Sequence, residues 1–187
     1  MKNVFYFASF ILITSFFACQ NNHESNKNQQ VTSKKIEELK FDKFNFSAQF
    51  PSKPKQSKEV AETSEGKINL TMFIAENLEH YYFVSVSEMP ADVIKASTAE
   101  QMYQKGKMSA LQQYQNPVVL SEKNVSTGKY KGLEFEAEGT TESVNVYMKC
   151  RLFLVDNKLY QVFAFAQKKN AVKTDLNNFL NSFKILN

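Results

Sequence analysis

The chain has 187 residues, 43% of them hydrophobic, with 23 Lys and Arg against 19 Asp and Glu for a formal charge of +4. That length allows one substantial core. The surplus charge is carried by lysines scattered among glutamates, with Arg151 the only arginine; nucleic-acid readers instead cluster Arg and Lys with aromatics between them, so no nucleic-acid partner is expected.

The first element is an apolar run. Lys2 is the only charge ahead of Val4–Phe17, which as a helix would span about 21 Å at 1.5 Å per residue, against about 30 Å of hydrocarbon in a bilayer. It is too short to cross and has the length of a signal-peptide core. The run closes in "SFFACQNN", where Ala18 followed by Cys19 resembles the lipobox of bacterial lipoproteins, with Phe16 standing where Leu is commonest. The resemblance implies a signal peptide over residues 1–18 and acylation of Cys19, palmitate included, giving a membrane anchor. The alternative is an ordinary secreted protein with a free Cys19. From Gln20 to Lys35 there are too few apolar groups to offset ordering entropy. Residues 19–35 therefore read as the lipidated cysteine and a flexible tether, about 20–24 Å in root-mean-square length. Lys27, Lys34 and Lys35 could attract an anionic lipid surface, although solvated charge is the plainer reading. Residues 36–187 are expected to form a single domain.

That domain begins with the two-residue period of strands. In "FNFSAQFP", Phe44, Phe46, Ala48 and Phe50 fall on one face before Pro51 ends the run. Segments 56–62 and 67–75 flank "TSEG", and Ile68, Leu70, Met72 and Ile74 alternate, which predicts a hairpin. After a turn near Asn77, in which His80 is also placed, "YYFVSVSEMP" sets Tyr82, Val84 and Val86 opposite Tyr81, Phe83 and Ser85 until Pro90. The period then changes. Ser97 and Glu100 have capping-box spacing, and Ala99, Met102, Tyr103, Gly106, Ala110 and Tyr114 form a helical stripe that Asn116 and Pro117 should stop. A Met and Tyr stripe could line a ligand groove, but packing on a sheet is the more ordinary use.

Strand patterns follow in "PVVLSEKNV", "LEFEAE", "VNVYMKCRLFLV" and "LYQVFAFA", then an amphipathic helix over 170–183 carrying Val172, Leu176, Phe179, Leu180 and Phe183. Short connections between neighbouring strands predict a largely antiparallel sheet packed with helices, an α+β domain. At "DNK" the apolar residues stay on one side only if Leu154 faces Leu159 and Cys150 faces Phe163, with Asp156 and Asn157 as the loop. For the preceding pair, the expected register sets Phe135 against Met148, Ala137 against Val146, Glu136 against Tyr147 and Glu134 against Lys149, with Arg151 diagonal to Glu134.

Few residues have the setting that catalysis needs. Alternation puts Cys150 on an apolar strand face, and a nucleophilic thiol would need a polarising partner that neither His23 in the tether nor His80 is placed to supply. With four Asp and two His, a hydrolytic triad has little to draw on. No HExxH, CxxC, P-loop or GxGxxG occurs in the sequence, so neither a metal nor a cofactor is expected. Glu134, Glu136 and Glu138 share a strand face at about 6.5–7 Å spacing. That is too far apart for tight chelation of one ion unaided, so a solvated or cross-strand-paired face is expected.

"FNFSAQFPSKP", "YKGLEFEAEG", "CRLFLVDNKLYQVFA" and "FLNSFKIL" together resemble the landmarks of the PsbP-like (Mog1/PsbP-like) group of small bacterial lipoproteins, over about residues 41–186. The resemblance implies an α/β/α sandwich that acts in binding or assembly, not catalysis, and supplies no active-site motif. The leading expectation is a non-catalytic, lipid-anchored accessory or binding module in the cell envelope, on the outer membrane and facing the periplasm. A carrier of a small lipophilic ligand comes second and an enzyme third. Arg151 and Tyr147 are of the types that anchor interfaces. With Lys149, Glu134 and Glu136 they form the candidate face for a protein partner, the alternatives being a plain solvated face or one covered by a helix.

Overall fold

The structure is a computed structural model describing residues 37–63, 66–77 and 80–186. The expected signal peptide, Cys19, His23 and the tether with Lys27, Lys34 and Lys35 lie outside the described residues. Alternating side chains build a seven-stranded antiparallel sheet in the order β3-β4-β5-β9-β8-β7-β6. Its strands are β3 (Lys55–Thr63), β4 (Gly66–Glu76), β5 (His80–Glu88), β6 (Gln115–Thr127), β7 (Tyr130–Thr141), β8 (Val144–Val155) and β9 (Lys158–Gln167). A small sheet joins β1 (Leu39–Phe41), β2 (Phe46–Ala48) and β10 (Lys184–Ile185) in the order β1-β2-β10. Helices α1 (Ala91–Ala96) and α2 (Ala99–Gln112) pack on one face of the large sheet, and α3 (Lys173–Ser182) packs on the other.

The central strands are apolar on both faces because both are covered. On the α3 side Phe46, Phe73, Val84, Tyr160, Val162, Leu176, Phe179 and Phe183 form one cluster; on the α2 side Met102, Tyr103, Phe135, Met148, Cys150, Leu152 and Phe163 form the other. Rings meet throughout, as in Phe46 with Phe73 at 5.2 Å and Phe83 with Phe163 at 4.6 Å between centroids, distances at which aromatic pairs add to their area burial. The α+β class, the "TSEG" hairpin and the β8–β9 register agree with the sequence reading: Leu154 pairs with Leu159, Cys150 with Phe163 and Arg151 with Val162.

Several local expectations need correction. Phe44 is not in a strand. It ends a 3-10 turn at Asp42–Phe44, and Asn45 (φ 52°) reverses the chain so that Phe41 meets Phe46. Ile74 is 38% exposed, since the core also draws on the opposite set, Thr71, Phe73 and Ala75. The capping box sits one residue later than expected, with Thr98 accepting from the Gln101 N–H at 3.2 Å and Gln101 Oε1 accepting from the Thr98 N–H at 2.8 Å. Asn116 and Pro117 lie inside β6, after the helix has ended, where a register shift between Gln115 and Val118 and a φ of 49° at Asn116 accommodate the proline.

The β7–β8 register also differs from expectation, by two residues. Phe135 pairs with Cys150, Ala137 with Met148, Glu134 with Arg151, Glu136 with Lys149 and Glu138 with Tyr147. A two-residue slip leaves every side chain on the same face, so patterning cannot distinguish the two registers. The turn decides it. Glu142 (φ 46°) and Ser143 (φ 68°) are both left-handed and close Thr141 onto Val144 as a two-residue loop of the kind that matches strand twist.

Candidate functional site

Period two gathers Glu134, Glu136, Glu138, Tyr147, Lys149 and Arg151 on one face of β7 and β8, and the register sets opposite charges side by side. Arg151 Nε donates to Glu134 Oε2 at 2.6 Å, Lys149 Nζ lies 3.1 Å from Glu134 Oε1 and 3.0 Å from Glu136 Oε1, and Lys123 on β6 reaches Glu134 Oε1 at 3.2 Å. The Tyr147 hydroxyl donates to Glu136 Oε2 at 2.6 Å, and Lys173 stands over its ring at 4.7 Å. All five residues expected to form a partner-binding face are therefore brought together.

Glu134, Tyr147 and Lys149 are buried, and Glu136 and Arg151 are half-buried. Helix α3 lies across them: Arg151 Nη1 donates to the Leu180 carbonyl at 2.9 Å, Nη2 to Asn181 Oδ1 at 2.7 Å, and Lys149 Nζ to Asn177 Oδ1 at 2.7 Å. Glu134 is 2% exposed, Tyr147 3% and Lys149 7%. Burial pushes the Glu134 carboxyl up, but the hydrogen bond and charge of Arg151, with Lys149 and Lys123, outweigh it and hold the group below the usual carboxylate range. Glu136 is likewise held low: burial opposes it, and Tyr147 and Lys149 prevail. The Tyr147 phenol moves the other way, raised by burial and by its bond to Glu136. Of the two expectations for this face, cross-strand pairing holds, as Glu134 with Arg151 and Glu136 with Lys149, and solvation does not hold at Glu134, because the amphipathic α3 seeks the apolar half of the same sheet face and covers the charges beside it.

The other polar side chains singled out from sequence are also occupied. Cys150 is fully buried in the α2-side cluster, and burial pushes its thiol well up. His80 begins β5 and is not in a turn; its Nε2 accepts the Val172 N–H at 3.0 Å, fixing the start of α3. Among the described residues, no group of three or more His, Cys, Asp or Glu is placed to hold a metal.

An open surface lies elsewhere, where the described chain begins. A cleft of about 850 Å³ is floored by Leu39, Phe41, Pro51, Pro54 and Phe73, with Glu37, Lys40 and Lys53 at its margin. Its volume falls within the range of small-molecule sites, about 300–1,000 Å³. Leu39 and Phe41 are only half-buried, although Phe41 stacks on Phe46 at 4.6 Å and touches Phe73 at 4.5 Å. Sequence reading missed this cleft. The "LKF" alternation was a signal, but three residues are too few to register as a strand.

Searched by sequence, the chain matches no protein-family profile and no curated protein. Solved structures do match. The solution structure of the cyanobacterial PsbP (CyanoP) from Synechocystis sp. PCC 6803 superposes with a TM-score of 0.54 at 12% identity, over 84% of this chain and 98% of that one. The fold is PsbP-like. LpqN of Mycobacterium tuberculosis, described as involved in cell envelope biogenesis, gives a TM-score of 0.48 at 7% identity over 73% of this chain and 87% of its own. A protein of unknown function from Pseudomonas aeruginosa gives 0.44 at 5% identity, over 63% of this chain and 88% of that one. The PsbP-like fold accounts for the sheet and its two helical layers. Among the described residues no helix is long and apolar enough to cross a membrane.

Proposed function

We propose that the protein is a lipid-anchored accessory or binding module of the cell envelope, held by an acylated Cys19 on the outer membrane and facing the periplasm, and that its role is recognition and not catalysis. The observation that carries this reading is where the free surface lies. The side chains best suited to chemistry are each satisfied within the molecule: Glu134, Lys149 and Arg151 by one another and by α3, and His80 by the Val172 N–H. The apolar cleft, by contrast, is open and includes Glu37, the residue at which the described chain begins downstream of Cys19. Apolar side chains that an internal carrier would need around its cargo are engaged with one another in the two core clusters, which favours a surface binder over an enclosed carrier.

The test is attachment. Cys19→Ser should abolish both incorporation of labelled fatty acid and fractionation with membranes, and Cys150→Ser should leave both intact. Label retained by the Cys19→Ser chain would remove the anchor from the account.

A further inference from the structure

We propose that the cleft formed by Leu39, Phe41 and Phe73 seats an anionic phospholipid of the bilayer to which the chain is tethered. The inference rests on the lipid-anchored reading above and gives the cleft an occupant of definite chemistry. Three observations carry it. The first is apolar surface left uncovered on β1: Leu39 and Phe41 are half-buried above a buried Phe73, so an acyl chain entering there would cover hydrocarbon that the fold itself does not.

The second is charge. Lys40 and Lys53 are exposed at the cleft margin, against the single carboxylate of Glu37, which leaves a positive rim around an apolar floor. Several lysines elsewhere are ion-paired instead: Lys107 with Glu122, Lys123 and Lys149 with Glu134, Lys168 with Glu138 and Lys184 with Glu38. Basic side chains beside an anionic leaflet contribute about 1 kcal/mol each.

The third is reach. Residues 20–36 separate Cys19 from Glu37, so even fully extended the cleft could stand no more than about 65 Å from the anchor. Tethering at such distances makes the second contact intramolecular, so even a weak lipid site would be filled.

The chain contains no tryptophan, so a single introduced indole reports one place. Membrane-extracted mature chain carrying Phe41→Trp would be reconstituted into vesicles of brominated phosphatidylglycerol or brominated phosphatidylcholine. Met108→Trp, at an exposed position of α2 across the sheet, serves as control. Leu39→Trp is a second reporter should Phe41→Trp fail to fold. Flotation with vesicles reads the anchor separately from the cleft. Quenching of the β1 indole by brominated phosphatidylglycerol, with the α2 indole unquenched, is expected. Lys40→Glu and Lys53→Glu should each raise the fraction of anionic lipid needed for half-quenching about fivefold or more. A chain that floats while its β1 indole is quenched no more than the α2 control, or equally by phosphatidylcholine, overturns the lipid site and leaves the anchor standing. A chain that does not float overturns the anchored reading, and the lipid site with it.

Discussion

At Glu134 burial and charge act against each other, and charge prevails because three cations converge on one carboxylate. Such a cluster adds little net stability compared with an apolar core, but removing one member takes a charge-assisted hydrogen bond from a buried carboxylate that keeps its other cations. Arg151→Ala should therefore cost about 1.5–3 kcal/mol in urea unfolding at neutral pH, the worth of a hydrogen bond to a charged group, since Lys149 and Lys123 stay on Glu134. It would also free the Leu180 carbonyl and Asn181 at the end of α3. The same geometry sets a pH dependence. Glu134 and Glu136 have folded pKa values below their unfolded ones, so their contribution is complete above the ordinary carboxylate range and is lost as pH falls through the depressed values. The urea midpoint should drop on acidification, with a shallower slope in Glu134→Gln than in wild type. Equal slopes would place the acid-labile step elsewhere. That these charges share a face was legible from alternation. Their closure under α3 was not, since the stripe of α3 reveals an apolar side but not which neighbours it also covers.

Among the elements, helix α2 and the β7–β8 hairpin test whether local geometry follows the observed registers. Thr98 and not Ser97 caps α2, so Thr98→Ala should cost about 1 kcal/mol and Ser97→Ala a small fraction of that, read from thermal or urea midpoints. Reversal of that order would restore the earlier capping position. In the β7–β8 turn, Glu142 and Ser143 are left-handed without being glycine, a conformation that costs an L-residue roughly 1–2 kcal/mol. Glu142→Asn with Ser143→Gly should raise stability by up to about 1 kcal/mol, since that pair suits a type I′ loop. A loss would mean that the hairpin closes in another register. Both elements were visible as periodicity, and both were placed with an error of one or two residues. Ser and Thr stand side by side at the cap, and a two-residue slip preserves the faces of β7 and β8, so pattern alone could not choose.

For the whole molecule, the decisive pairing joins β5 to β9 at the middle of the sheet, bringing Val84 against Val162 across about half of the domain's length. Antiparallel hairpins and covered apolar faces were readable from the sequence. This long-range pairing was not, because strands buried on both sides carry few marks of their neighbours. Nor was the cleft, which exists only where β1, the turn at Pro51–Pro54 and β4 come together. The central claim is that this PsbP-like domain works at a membrane through Cys19. It is tested most directly by the intact mass of the chain extracted from envelope membranes. The account predicts a chain that begins at Cys19 and carries diacylglycerol together with an amide-linked acyl group. A mature chain that begins at any other residue, or a Cys19 found without acyl groups, would contradict it.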